Sequence, residues 1–348
     1  MNRIDTLSLL SRKVNLKMNN IDNSWKKVGY VDEEVPQGTD LVAEIARLKR
    51  EKRAVLMAHY YQTGEIQDIA DIIGDSLALA QKAVGIDADI IMLAGVHFMG
   101  ETVKILNPQK KVLVPDLNAG CSLADSCNAE DFKKFIDEHP VYKVVSYVNT
   151  SAEVKALTDV VVTSTNALKI VESFDKDEKI IFGPDRNLGS YINAQTGRKM
   201  LLWDGACHVH EKFSLEKILE LKKENPGAEL IAHPECKKPI VIASDYVGST
   251  AALLTYVGKS KTQKFIVATE SGILHQMQKA YPDKEFIAAP PMDSTCGCNN
   301  CEYMKLNTLQ KIYLTLKYEW PEVMVDEEIA KKARRPIDAM LELSKQFK

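Results

Sequence analysis

Three pairs of polar side chains recur along the chain, each at the end of a short apolar run. They are His59 with Tyr61 after Val55–Ala58, Tyr147 with Asn149 after Val144–Ser146, and His233 with Glu235 after Leu230–Ala232. Residues two apart on a strand point to the same side, so each pair aims two side chains one way. Histidine, tyrosine and glutamate so placed can hold and move protons. Seventeen residues after each of His59, Tyr147 and His233 stands a small hydroxyl residue: Ser76, Ser164 and Thr250. Each precedes an Ala/Leu-rich helical stretch, and a helix start with free N–H groups and a hydroxyl favours an anion. A plain N-cap explains any one hydroxyl taken alone, so the anion reading rests on their recurrence. One cysteine recurs as well: Cys121, Cys207 and Cys301. Three thiolates meeting at one point suit a [4Fe-4S] cluster whose remaining iron has no protein ligand and acts as a Lewis acid. Buried inert thiols and zinc are the alternatives; the run Cys296-Gly-Cys298-Asn-Asn-Cys301 reads as half a zinc knuckle, with no second pair at ordinary ribbon spacing. Cys127 and Cys236 fall off the repeat position and are expected to be unliganded. Cys296 and Cys298 stay ambiguous, since either could replace Cys301 or pair with the other.

The elements that position these residues repeat with them. His59, Tyr147 and His233 are 88 and 86 residues apart. Helical stretches follow the hydroxyls at Leu77–Val84, Thr165–Phe174 and Ala251–Val257, and second apolar strands at Ile90–Leu93, Ile180–Phe182 and Phe265–Ala268. A further helix then begins near Gly100, Gly189 or Gly272. A third strand closes each unit at Val112–Val114, Met200–Trp203 and Glu285–Ala289, just before the loop that carries the cysteine. Charged amphipathic helices precede the units at Asp40–Lys52, Glu130–Glu138 and Leu215–Glu224. Short strands alternating with helices mean parallel sheets with right-handed crossovers.

The expected fold is therefore α/β: three homologous Rossmann-like βαβαβ domains around a pseudo-threefold axis, with a central active site. The units are placed at 39–125, 126–211 and 212–303. Residues 1–38 form an N-terminal extension, and 304–348 hold C-terminal helices separated by Pro321. Ligands of parallel sheets bind beyond the carboxyl ends of the strands, where the paired residues lie. A cavity pooling three helix starts, three polar pairs and three cysteines would suit a small polyanion.

The 348-residue chain is long enough for several domains, and its 45% hydrophobic content is enough for sizeable cores. With 45 Lys+Arg against 48 Asp+Glu the net charge is −3, which argues against a nucleic-acid or anionic-membrane partner. No apolar run approaches a membrane span. Met1–Lys17 lacks a continuous apolar core followed by a cleavage site, so no signal peptide is expected. Seven cysteines without a dense framework fit a cytoplasmic chain with reduced thiols.

Several segments in order resemble quinolinate synthase, the iron–sulfur enzyme of the aspartate route to NAD. They are His59-Tyr-Tyr-Gln, Gly74-Asp-Ser76, Asn118-Ala-Gly-Cys-Ser-Leu-Ala124, Ser146-Tyr-Val-Asn-Thr150, Phe182-Gly-Pro-Asp-Arg-Asn-Leu-Gly189, His233-Pro-Glu235, Gly248-Ser-Thr250 and Cys301-Glu-Tyr-Met-Lys305. The resemblance covers about residues 40–320 and implies condensation of iminoaspartate with dihydroxyacetone phosphate to quinolinate, phosphate and water. It implies a [4Fe-4S] cluster on Cys121, Cys207 and Cys301. It implies active-site roles for His59, Tyr61, Ser76, Tyr147, Asn149, Ser164, His233, Glu235, Ser249, Thr250 and Lys259. Functional coupling to an upstream L-aspartate oxidase is a further expectation. Some members carry Cys-x-x-Cys-x-x-Cys near the end of the third unit; the spacing here is Cys296-x-Cys298-x-x-Cys301, so no redox disulfide carries over.

Among these residues Glu235 is the first choice of acid/base, with Tyr61, His59 and His233 as partners. Tyr147 and Asn149 are expected to orient carboxylates, and the hydroxyls with Lys259 to hold phosphate. A metal-free isomerase or aldolase acting on sugar phosphates is the rival enzyme class, but it has no need of three recurring cysteines. A periplasmic-type binding module is the non-enzyme rival, disfavoured by the missing signal peptide and the strand-end Glu and His.

Overall fold

The structure is a computed structural model that describes residues 24–292 and 299–347. Cys296, Cys298 and most of the N-terminal extension lie outside the described residues.

Three four-stranded parallel sheets are built from Val/Ile/Leu runs whose central strands are buried on both faces, as parallel sheets require. The first comprises β1 (Ala54–His59), β2 (Ile72–Gly74), β3 (Ile90–Ala94) and β4 (Lys111–Leu113), in the order β2-β1-β3-β4. The second repeats that order with β5 (Lys143–Tyr147), β6 (Val160–Val162), β7 (Ile180–Gly183) and β8 (Leu201–Leu202). The third does so with β9 (Glu229–Ala232), β10 (Tyr246–Val247), β11 (Lys264–Ala268) and β12 (Glu285–Ala288). The architecture is the α/β fold of three Rossmann-like units that the sequence predicts.

Each sheet has one more strand than the sequence pattern shows. The additional edge strands β2, β6 and β10 are two or three residues long, too short to display a period. Each is tied down by an aspartate in the same place. Asp71, Asp159 and Asp245 accept the backbone N–H of Leu56, Val144 and Leu230 at 2.8, 2.8 and 2.7 Å. Their own N–H groups donate back to the carbonyls of those residues. One side chain thus fixes where each edge strand enters the sheet.

Many of the helices begin on side-chain caps: Asp40, Asp75, Asn128, Asp185, Ser214 and Ser249 each accept an N–H of the first turn. Helices begin near Gly100 and Gly189 as expected, His97–Leu106 and Arg186–Thr196 each carrying its glycine in the first turn. A Cβ on Gly189 would stand 2.6 Å from Leu202 Cδ2, so the glycine lets helix and sheet close on one another. The tail forms helices Leu309–Tyr318 and Glu327–Lys345 on either side of Pro321. The longer one packs on β6 and on helices of the first two units. The described end of the N-terminal extension packs on the shorter one, with Trp25 buried against Tyr318 and Trp320. Among the described residues no helix is long and apolar enough to cross a membrane.

Candidate active site

The carboxyl ends of β1, β5 and β9 open on one cleft of about 720 Å³, its mouth included. All three units line it: His59, Tyr61, Ser76 and Cys121 from the first, Tyr147, Asn149, Ser164 and Cys207 from the second, His233, Glu235, Thr250 and Cys301 from the third. Asp75, the cap of helix Ser76–Ala83, also reaches its wall. Thr165 Oγ1 lies 2.7 Å from Asp75 Oδ2 and 2.9 Å from Ser249 Oγ, which joins the three units beside the cavity.

Not every expected residue reaches the wall. Ser249 is buried as the cap of helix Thr250–Lys259, where it accepts from Ala252 N at 3.3 Å. Lys259 is exposed at the far end of that helix and does not line the cleft. Ser76 and Thr250 occupy first helical positions, with Asp75 and Ser249 as the caps before them. The helix expected from Thr165 opens instead at Ala167. Asn166 Oδ1 accepts from Thr163 N at 2.6 Å and holds the chain around Ser164 in a turn.

Glu235 is the electrostatic centre. It is 3% exposed, accepts the Tyr147 hydroxyl at 2.5 Å, and stands 3.1 Å from His210 Nδ1. Burial pushes its carboxyl up, but the neighbouring His210 and His233 and the hydrogen bond from Tyr147 outweigh burial and hold it at about 2. His233 stacks on His210 with ring centroids 4.9 Å apart. Burial holds both His59 and His233 at about 3, so each is neutral near pH 7. Tyr61 and Tyr147 are pushed well above the ordinary phenol, chiefly by burial and then by the Glu235 charge. Among the paired strand-end residues the resting site therefore holds one carboxylate, two neutral imidazoles and two protonated phenols. Tyr61 Oη also lies 2.8 Å from Thr250 Oγ1 and 2.9 Å from Thr269 Oγ1, bridging the first and third units. Asn149 Oδ1 is buried with no protein partner.

The three cysteines are free, partly buried, and on the same wall. Burial pushes the Cys121 thiol up to about 12 and Cys301 up to about 11, and the proximity of Cys301 adds to the shift at Cys121. Cys207 is also pushed well up by burial, then by Glu235 and Cys121. Such thiols keep their protons unless a cation displaces them, which is how a metal centre binds. One soft donor from each unit, facing shared space, fits a metal centre that keeps a coordination position free of protein. Cys207, His210 and Glu235 also bring ligand atoms within 4.8 Å of one another. Cys127 and Cys236 are buried in apolar packing away from this wall.

A family model described as "Quinolinate synthetase A protein" matches residues 43–342, nearly the whole described chain. The chain belongs to the quinolinate synthase family. A curated quinolinate synthase of Synechococcus sp. is 56% identical over 305 residues, 88% of this chain and 95% of the relative. One of Trichodesmium erythraeum is 57% identical over 305 residues, 88% and 94% of the two chains. One of Synechocystis sp. is 55% identical over 312 residues, 89% and 98%. The protein is accordingly an enzyme, a quinolinate synthase of NAD biosynthesis.

The site of this quinolinate synthase includes residues the sequence reading passed over. His208 follows Cys207, lines the cleft, and places Nδ1 2.6 Å from Ser122 Oγ beside Cys121. His210 sets Nε2 3.1 Å from Thr269 Oγ1 while its other nitrogen faces Glu235. The string Cys207-His-Val-His210 was the available signal. Glu270, on the wall beside Cys301, had none, because it is a lone carboxylate past an ordinary strand.

Proposed function

We propose that the cleft condenses iminoaspartate with dihydroxyacetone phosphate to quinolinate, phosphate and water, with a [4Fe-4S] cluster held by Cys121, Cys207 and Cys301. The observation that carries this reading is the convergence of three repeat-equivalent cysteines on the cavity that also collects the strand-end residues. When bound, such a cluster supplies a Lewis-acidic iron without a protein ligand, suited to a substrate oxygen and to the loss of hydroxide.

The chain's own groups divide the remaining work. Ser76 and Thr250 offer hydroxyls on first helical turns whose N–H groups face negative charge, suited to phosphate or carboxylate. Asn149, with its unpartnered Oδ1, takes a donor on the substrate, the imine N–H being the chemical match. Glu235 is the only ionised group among the paired strand-end residues and receives the proton taken from carbon. Held near 2 it is a weak base at rest; an arriving polyanion raises it through like charge. Tyr61 and Tyr147 keep their protons and donate to developing oxyanions, and neutral His59 and His233 can do either. Lys259 takes no part. An imine hydrolyses in water, so a supplying L-aspartate oxidase would act close by.

Anaerobic protein given both substrates should release quinolinate and phosphate in equal amounts. Loss of dihydroxyacetone phosphate to an isomeric triose phosphate, with no quinolinate from cofactor-loaded protein, would establish the sugar-phosphate isomerase instead.

A further inference from the structure

The strand registers make three positions equivalent. Ala58 pairs with Ala94, Ser146 with Gly183, and Ala232 with Ala268, each at the carboxyl end of the unit's two central strands. Two residues beyond those partners stand Val96, Asp185 and Glu270. Asp185 and Glu270 are both fully buried. Each divides its two oxygens in the same way. Asp185 Oδ1 accepts from Leu188 N at 2.7 Å and Oδ2 from Cys207 N at 3.2 Å. Glu270 Oε2 accepts from Gly272 N at 2.7 Å and Oε1 from Cys301 N at 3.1 Å. One oxygen thus secures the start of the following helical segment, and the other grips the backbone of the unit's recurring cysteine, 22 or 31 residues downstream.

Helix capping explains only the first of these bonds. Burying a carboxylate is costly unless its charge is met. Glu270 meets Lys305 Nζ at 2.9 Å, and that amine also donates to Tyr61 O at 2.6 Å. The oxygens of Asp185 are met by backbone N–H groups, although burial still pushes its carboxyl well up. The first unit has Val96 at this position, which offers no acceptor.

We propose that Asp185 and Glu270 are positioning residues that fix the backbone of Cys207 and Cys301, so that both thiols already face the cavity before the cofactor binds. This rests on the reading that these cysteines hold the cofactor. Cys121 is left to a different device, the contact between Ser122 and His208.

The test compares anaerobically purified wild type with Asp185→Asn and Glu270→Gln. Each substitution keeps the size but leaves one acceptor oxygen for two N–H groups. Asp245→Asn serves as control, because that aspartate pairs an edge strand and touches no cysteine. Iron and sulfide are counted, and loss of visible cluster absorbance to a chelator is timed well below each protein's unfolding midpoint. Leaving the cysteine N–H buried without its acceptor should speed that loss about 10- to 100-fold in the Asp185 and Glu270 variants. The control should unfold earlier and lose its cofactor at the wild-type rate. Folded Asp185 and Glu270 variants that keep the cofactor as long as wild type would overturn the proposal. A wild type without iron and sulfide would instead remove the cofactor reading, and the proposal with it.

Discussion

Replacing Glu235 with Gln removes one ionisable group from the middle of the cavity and little else. The Gln oxygen can still accept from Tyr147, which donates to Glu235 at 2.5 Å. Its amide can donate to His210 Nδ1 with that imidazole carrying its proton on Nε2, where it donates to Thr269. The variant should therefore fold, and Glu235 is not among the three cysteines assigned to the cofactor. What it loses is the carboxylate that receives a proton, and one such group contributes about 10²–10⁴ in rate. That is ~3–5 kcal/mol of barrier at about 1.4 kcal/mol per decade. The assay is anaerobic turnover at saturating substrates with iron content matched to wild type. The loss should fall on kcat with KM little changed, as for a group needed in the transition state rather than for binding. A folded, iron-matched variant turning over at near the wild-type rate would refute the argument and move the proton to Tyr61 or His233.

Other predictions follow from the same geometry. Changing Cys121, Cys207 or Cys301 to Ser should each remove iron and activity, whereas Cys127→Ser or Cys236→Ser should keep both; iron analysis beside the assay decides it. His59 and His233 are held at about 3, below the unfolded value of 6.5, so the unfolded chain binds more protons between these limits and stability falls on acidification. Each should cost up to about 1.4 kcal/mol per pH unit, roughly 3 kcal/mol for the pair between pH 6.5 and 5, and denaturant midpoints across that range would show it. Lys155 is fully buried beside Glu101 and donates to Thr150 O in the turn after Asn149. Lys155→Met should lower stability by about 3 kcal/mol by leaving that carboxylate without its cation, and should raise KM as the turn loosens; denaturation and steady-state kinetics measure the two effects.

The repeat was legible because it is written in residue types with fixed spacing. Strand ends at His59, Tyr147 and His233, hydroxyls seventeen residues on, and one cysteine per unit needed no coordinates. The aspartates at 71, 159 and 245 repeat with the same 88- and 86-residue spacing and went unread. Their role is a backbone hydrogen bond to a residue 15 positions earlier, and no local pattern announces it. The edge strands were missed for their brevity. Asp185 and Glu270 differ in type, and their unit-one counterpart is Val96, so only the strand register aligns them. Lys259 shows the limit of a residue carried over by resemblance: the helix it ends points it away from the cleft it was expected to serve.

The claim on which the rest depends is that three cysteines from three units hold one iron–sulfur cluster in the catalytic cavity. Counting metal and acid-labile sulfide in anaerobically purified, active protein tests it most directly. About four iron and four sulfide per chain are predicted, lost together with turnover on exposure to air. Full quinolinate formation by protein that holds zinc, or no metal, would contradict it.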